Sequence, residues 1–291
     1  MSKRVAIIGA GVSGQAAARY WLAKGAEVTM RDRLVDVTVP EGALSILGTT
    51  YLKGLNGYDL IVRSPGIRPR ELKTSAPITT GVREFFRRCP ARIIGITGTN
   101  GKIVVAQLVA KILEEAGRRA WVGGDGGMAP LDLLGKVRAG DFVVLSLSSF
   151  QLMDLDVSPA MAVCLSVVPE RSDWHGSTRE YVAALGNIFW HQQDGDVAIY
   201  DADSDFATQI AQLSPGRKIG FMQRAGVAVE QGRVVLGDTV VYDGRETTGR
   251  LPLENVCAAV TAGYEVLGGK LELMQRAIVK FEASREPGDV A

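Results

Sequence analysis

Two glycine loops, each joining a strand-like run to a helix-like run, constrain this sequence more than any other feature. The first is Gly9-Ala10-Gly11-Val12-Ser13-Gly14, between the apolar run Arg4–Ile8 and a helix-period segment over 12–24. The second is Gly95-Ile96-Thr97-Gly98-Thr99-Asn100-Gly101-Lys102, between a strand-like run over 92–96 and a helical one over 102–116 that ends at Gly117. A strand that turns sharply into a helix and later returns to strand is the signature of a parallel sheet, because parallel neighbours need a crossover, usually a helix. With 291 residues there is room for two such sheets.

The remaining pattern repeats the alternation. Strand-like runs are expected over 27–30, 59–63, 141–147, 161–167, 196–200 and 218–221, and helices over 81–88, 177–191, 253–267 and 271–281. Ser177 with Glu180 has capping-box spacing. Three short runs, 227–229, 234–236 and 239–242, with turns at Gln231-Gly232 and Gly237-Asp238, read as a small antiparallel piece. Cys89-Pro90 breaks the pattern and marks a boundary. The expected architecture is α/β: a Rossmann-like domain over 1–90, then a larger P-loop-like domain over 91–291 with a parallel sheet and a small β appendage.

Composition excludes several functions. Lys+Arg is 33 against Asp+Glu 32, a formal net charge of +1, so a general electrostatic grip on nucleic acid is not expected. The sequence has no apolar run of about 18 residues, so no membrane partner is expected. Three scattered cysteines (Cys89, Cys164, Cys257) suit neither a disulfide framework nor a zinc site, and two histidines cannot make a multi-His centre. The expectation is a cytoplasmic protein with no signal segment. Oligomeric state is left open.

Glycines in the first loop permit a tight turn and close approach of backbone N–H groups to a phosphate, and the helix N-terminus adds its dipole. Asp32, at the end of the next strand, is placed to bond a ribose or base edge. Packing of helix on sheet is the plain alternative, and the motif alone does not separate a nicotinamide dinucleotide, and hence an oxidoreductase, from another nucleotide ligand. Ser64-Pro65-Gly66 is another tight turn at the same sheet edge, read by itself as structural. In the second loop Gly101-Lys102 sits at the helix start, so backbone N–H groups would cradle phosphates and Lys102 would pair with them. Elsewhere the structural reading prevails: beside the acid–aromatic–His cluster Asp173, Trp174 and His175, the His-Gly-Ser step (175–177) before a helix as a turn rather than a general base, Asp201 and Asp203 as a strand-end turn and helix cap, Cys164 and Cys257 as buried fillers, and 83–88 as a solvated helix face with Phe85 or Phe86 in the core.

Taken together, GAGVSG (9–14), RSPG (63–66), GITGTNGK (95–102), WVGG (121–124), SSFQL (148–152), HGS (175–177) and LENVCAA (253–259) resemble the Mur ligase family, most of all its D-glutamate-adding branch. The resemblance runs from about residue 3 to about 290. It implies a scaffold for ATP-dependent carboxylate–amine ligation in peptidoglycan synthesis, joining UDP-N-acetylmuramoyl-L-alanine to D-glutamate through an acyl phosphate. It also implies contacts. Gly9, Gly11, Ser13, Gly14, Asp32, Ser64, Pro65 and Gly66 would hold the uridine diphosphate. Thr99, Gly101 and Lys102 would meet ATP phosphates, Asn255 would lie near the adenine, and Ser149 and Gln151 near the substrate.

The chain departs from the family where chemistry concentrates. Ile103 and Val104 follow the loop lysine where the family has hydroxyl residues for magnesium. Asp125 stands in the family's G-G-N-I-G, Ser146 replaces a magnesium carboxylate, and Ser166 replaces a strand-end Asn. Glu170-Arg171 replaces an acid–His pair, and Leu185 a lysine that is carbamylated to hold a second metal. Changes also fall in 249–255 and 281–287, and the family's third domain is expected to be absent. Magnesium demands an octahedral shell of hard oxygens. ATP and magnesium, the family's cofactors, are therefore expected to bind poorly, with no metal ligand and no catalytic residue confidently retained and ligation absent or severely impaired. A UDP-linked small molecule remains the implied partner. The alternative is a non-catalytic binding or interaction protein on this scaffold, engineered or repurposed. In that case Ile103, Val104, Met128, Leu185 and Leu251 would line an apolar former active-site cleft open to self-association.

Overall fold

Val5, Ala6, Ile7 and Ile8 are all fully buried, as a strand covered on both faces must be, and they form the centre of the first sheet. The structure, a computed structural model, describes residues 2–169, 172–245 and 251–284. It separates into two compact units: Met1–Cys89 with Met128–Lys136, and Pro90–Gly127 with Val137–Ala291. The division at 89/90 falls at the Cys-Pro break. The expected second domain, however, cedes Met128–Lys136 to the first.

Unit 1 holds β1 (Arg4–Ile8), α1 (Val12–Ala23), β2 (Glu27–Asp32), β3 (Leu44–Leu47), β4 (Leu60–Arg63), β5 (Ile78–Thr80) and α2 (Gly81–Phe86). Its sheet is wholly parallel in the order β3-β2-β1-β4-β5. Strands leave β1 in opposite directions, so the crevice at the carboxyl ends of β1 and β4 is the topological switch point where such sheets take ligands. The pattern missed β3 and β5: one is a half-exposed edge strand, the other is three residues long. Helices do not cover both faces evenly. Ala6, Ile8 and Ile61 pack against Leu55 and Leu72 from loop segments with short 3-10 turns, Leu55–Gly57 and Pro69–Glu71 among them.

Unit 2 continues with β6 (Arg92–Thr97), α3 (Lys102–Glu115) and β7 (Ala120–Gly124). The returned segment then adds α4 (Pro130–Leu133) to unit 1, where Arg19 on α1 pairs with Asp132 at 2.7 Å. After it come β8 (Phe142–Ser146), α5 (Ser149–Leu152), β9 (Met161–Cys164), α6 (Ser172–His175), α7 (Thr178–Trp190), β10 (Val197–Asp201), α8 (Asp205–Ala211) and β11 (Arg217–Phe221). The six parallel strands run β11-β10-β9-β6-β8-β7. The chain crosses from β8 to β9 over β6, so the loop after β6 lies at this sheet's own switch point.

Three further strands, β12 (Val227–Glu230), β13 (Arg233–Leu236) and β14 (Thr239–Asp243), make the expected antiparallel piece. Gln231 and Gly232 both have positive φ, 52° and 80°, as a two-residue hairpin turn of the primed type requires. Two closing helices, α9 (Leu253–Leu267) and α10 (Leu271–Ala283), pack with α3 on one face of the sheet around Ile94, Ile96, Val144 and Val163. α7 and α8 serve the other face. Among the described residues no helix is long and apolar enough to cross a membrane.

At the base of this sheet Asp141 accepts from Trp121 Nε1 at 2.9 Å and from the Arg138 backbone N–H at 3.0 Å. The Trp121 hydrogen bond, then that of Arg138, hold its carboxyl below the usual carboxylate range. A lowered folded-state pKa contributes stability above the unfolded value, about 3.9, that is lost as pH falls through the folded one. Asp141→Asn should therefore lower the melting temperature at pH 7, and the gap to the parent should narrow below about pH 4. Thermal melts of both proteins across that range test this.

Candidate functional site

In unit 1 the backbone itself shapes the site. Gly9 has φ +97°, and a Cβ there would lie 2.7 Å from Ser64 Cβ. Gly14 passes so close to the Gly9 carbonyl oxygen that a Cβ would overlap it. Ser64 Oγ donates to that carbonyl at 3.0 Å, tying the turn after β4 to the loop after β1. Behind the turn lies Arg63, only 1% exposed, whose guanidinium donates to the carbonyls of Ser64 (3.2 Å), Pro65 (3.2 Å) and Ile67 (2.6 Å). Asp32 accepts from Ala10 N–H at 2.7 Å through one oxygen and from Leu34 N–H at 2.8 Å through the other. Its carboxylate thus clamps the glycine loop.

All eight residues expected at the uridine diphosphate come together around these strand ends. Gly9, Gly14, Ser64 and Asp32 are tied into the loop structure. Gly11 differs, since a Cβ there meets nothing within 4 Å, and the same holds for Gly66. Gly11 caps α1 with no side-chain bond. The first-turn N–H groups of Val12, Ser13 and Gly14 therefore have no partner within the helix and present a dipole-assisted anion cradle.

In unit 2 the loop after β6 brings Thr99, Gly101 and Asn255 to one cavity of about 220 Å³, shared with Leu165, Ser166, Asp201, Phe221 and Glu254. Gly98 (φ +134°) passes Leu165, whose Cβ would lie 2.7 Å from a Cβ there. Gly101 (φ +80°) leaves the space in which the Asn255 amide lies, with Nδ2 2.8 Å from where a Cβ would be. Thr99 is spoken for: Oγ1 accepts from Val168 N–H at 2.8 Å, and the Tyr181 hydroxyl lies 3.1 Å away. Lys102, expected to meet phosphates, instead folds over its own loop and donates to the carbonyls of Gly98 (3.1 Å) and Thr99 (3.0 Å).

Ser149 and Gln151 lie on the short α5, also in unit 2. Gln151 Oε1 accepts from Ser148 N–H at 2.9 Å, so its side chain caps its own helix. Ser149 Oγ is 2.9 Å from His175 Nε2. The turn expected at His-Gly-Ser falls at Gly176 (φ +90°) and Ser177, between α6 and α7. His175 is 3% exposed, on α6, stacked on Phe150 and flanked by Trp174 and Tyr181. Phe150 and Trp174 were the legible signal, since a His between aromatics has apolar surface to bury. Asp201 and Asp203 form the expected turn, with Asp203 N–H donating to Asp201 at 3.0 Å, but the cap of α8 is Ser204.

Among the described residues the donor set does not suit magnesium. Ile103 and Val104 open α3 with hydrocarbon, and Ile103 lies against Gly126 in the turn after β7. Ser146 offers one neutral hydroxyl, 1% exposed and without a hydrogen-bond partner. Leu185 is 1% exposed in the core. No group of three or more His, Cys, Asp or Glu is placed to hold a metal among the described residues. Glu170, Arg171, Gly249, Arg250 and the changed positions 285–287 lie outside the described residues. The expected apolar cleft is not formed as such: Val104, Leu185 and Leu251 are buried in the core of unit 2, and Met128 belongs to unit 1. Core packing claims Val104 on α3, Leu185 on α7 and Leu251 just before α9.

The Mur ligase middle domain family matches residues 96–262, more than half of the chain. The chain belongs to the Mur ligase family. Its similarity to that family reaches beyond the middle domain. It is 33% identical over 241 residues to the UDP-N-acetylmuramoylalanine--D-glutamate ligase of Clostridium acetobutylicum, covering 78% of this chain and 52% of that protein. With the ligase of the same name from Ruminiclostridium cellulolyticum it shares 30% over 285 residues, covering 90% and 61%. The chain thus spans about half to three-fifths of the length of these relatives. Among solved structures, a UDP-N-acetylmuramate:L-alanyl-gamma-D-glutamyl-meso-diaminopimelate ligase of Neisseria meningitides superposes with a TM-score of 0.62 at 15% identity, covering 99% of both chains. The UDP-N-acetylmuramate-alanine ligase of Thermotoga maritima gives 0.56 at 16%, covering 96% and 68%. At these identities the likeness shows the shared Mur ligase fold. Membership also removes the support for a nicotinamide-dependent oxidoreductase.

Gly14→Ala should destabilise unit 1 by about 2–4 kcal/mol, because a Cβ cannot share space with the Gly9 carbonyl. Gly11→Ala, with open space, should stay within about 0.5 kcal/mol of the parent. Chemical denaturation of the two variants tests the contrast.

Proposed function

We propose that this chain is a Mur ligase scaffold, akin to the D-glutamate-adding enzymes, that holds a UDP-linked acid in unit 1 and carries out ATP-driven ligation weakly or not at all. The observation that carries it is the opposite condition of the two loops. In unit 1 the glycines, the Asp32 clamp and the Ser64 tie stand together, with the N–H groups of α1 open to an anion. In unit 2 the loop keeps its glycines, yet Lys102 at the start of α3 is followed by Ile103 and Val104, and Ser146 offers a single partnerless hydroxyl.

Phosphoryl transfer depends on positioning and on neutralising charge at the transferred group. Hydrocarbon at residues 103, 104 and 185 supplies neither. Lys102 is a single positive charge, spent in this structure on loop carbonyls. The barrier then rises by several kcal/mol, each 1.4 of which is about a tenfold loss of rate. A cytoplasmic location fits this reading, since a UDP-linked precursor is its ligand.

Two measurements test it. Phosphate release with ATP, magnesium, UDP-N-acetylmuramoyl-L-alanine and D-glutamate should run at least about 1,000-fold below an active relative. Turnover comparable to the relative's would refute the impaired-ligase reading. Calorimetry with the UDP-linked acid alone should show binding that Gly11→Ala weakens while leaving the fold intact, and no heat at millimolar ligand would refute the scaffold reading.

A further inference from the structure

A cavity of about 610 Å³ lies in the groove between α7 and α8, and none of its lining residues belongs to either glycine loop. Helix length makes the groove. α7 has 13 residues and α8 has seven, so about 20 Å of helix faces about 10 Å. The two approach where Gly186 lacks a side chain: a Cβ there would stand 2.7 Å from Leu213 Cδ1, already past the end of α8. Trp190, one turn further along α7, is 58% exposed. Half-buried Val182 and Phe206 and the fully buried Ile210 complete an apolar wall. Recesses of this volume, mostly apolar with a few polar groups, are where small ligands bind.

Charge sits at one end of this groove. Thr178 and Arg179 begin α7, and the dipole of a 13-residue helix adds positive potential there. Arg179 is the single ionisable side chain among the described residues of the lining. Its acidic neighbours stand elsewhere. The Glu180 carboxylate lies over the turn before α7, with Oε2 3.3 Å from where a Cβ on Gly176 would be, and Asp205 opens α8 without joining the lining. Further along, the Asn187 amide is spent on the carbonyls of Leu152 (2.9 Å) and Met153 (3.2 Å). From residue 178 to residue 190 the helix covers about 18 Å, cationic at its start and aromatic at its end.

We propose that the α7–α8 groove binds a small amphipathic carboxylate, an aryl or medium-chain alkyl acid. The carboxylate lies at Arg179 and Thr178, and the apolar body runs along Val182, Phe206 and Ile210 toward Trp190. A guanidinium takes a carboxylate through charge-assisted hydrogen bonds, and the aromatic end gives the tail a surface to leave water on. The site stands on the surface of unit 2 alone. It depends neither on the UDP-linked ligand of unit 1 nor on the condition of the second loop.

The test is a calorimetric titration of the full chain with decanoate and with decanol, which has the same chain length and no charge. Decanoate should bind about fivefold or more tighter than decanol. Arg179→Met should bring decanoate down to the affinity of decanol and leave decanol unchanged. Ala183→Trp, at an exposed position on the same lining, should fill the groove and abolish binding of both at the melting temperature of the parent. Failure of decanoate to bind overturns the proposal. Equal affinity for the two ligands overturns the anionic head, and binding that survives Ala183→Trp overturns the location. Light scattering on the same samples covers the remaining occupant: a dimer that Ala183→Trp dissociates and decanoate leaves intact would give the groove to a second copy of the chain and overturn the ligand site.

Discussion

Close backbone approach at the carboxyl ends of parallel strands is the constraint on which both units depend. A parallel sheet points all its strand-to-helix turns toward one edge, so loops from neighbouring strands crowd there. Gly14 against the Gly9 carbonyl, Gly98 against Leu165 and Gly124 against the Ser146 carbonyl are contacts in which no Cβ could stand. The glycines therefore serve the fold before they serve a ligand. Crowding also leaves first-turn amide groups of α1 and α3 facing the edge, which is why the same geometry that packs the loops makes anion cradles.

Buried charge is distributed to hold those loops. Arg63 donates to three carbonyls of the turn it precedes. Arg31, equally buried at the end of β2, donates to the carbonyls of Thr50 and Lys53. Asp32 takes two backbone N–H groups. Each of these ions is bonded to peptide dipoles, which keeps the cost of desolvation in bounds. Unit 2 keeps a comparable skeleton in neutral form: Thr99 bonded to Val168 and near Tyr181, Ser149 to His175. The two units thus keep their loop geometry by different means, one ionic and one largely neutral.

Much of this was legible in the residues. The strand–glycine–helix joints gave the parallel sheets, and Gln231-Gly232 gave the hairpin because positive φ at two successive positions leaves few choices. β3, β5 and β7 were illegible: they are short, and end in or border on glycines and polar residues, so their existence depends on an edge offered by another strand. At the sites, Thr99, Gly101 and Asn255, which the family resemblance implied around one nucleotide, line one cavity. Sequence alone could not show that Asp32 and Gln151 spend their side chains on backbone groups, nor that Lys102 turns back on its loop, because hydrogen-bond partners depend on which carbonyl happens to lie within reach. The supposed apolar cleft failed for a related reason. Apolar residues counted along the chain carry no direction, and Leu185 and Leu251 point into the core.

That inward direction bears on what the proposed loss of metal ligands would mean for the fold. A lysine at position 185 or a carboxylate at 146 would bring a charge into surroundings that are now 1% exposed, at several kcal/mol unless a cation and its other ligands are present. Leucine at the same depth instead contributes about 1.5–3 kcal/mol of burial. Metal ligands compensate one another only as a set, so losing the first makes each remaining one a liability to folding, and replacing the rest with Leu, Val or Ser relieves it. On the proposed reading, restoring a single ligand would therefore lower stability before it regained any chemistry, and the neutral state of this loop would maintain itself.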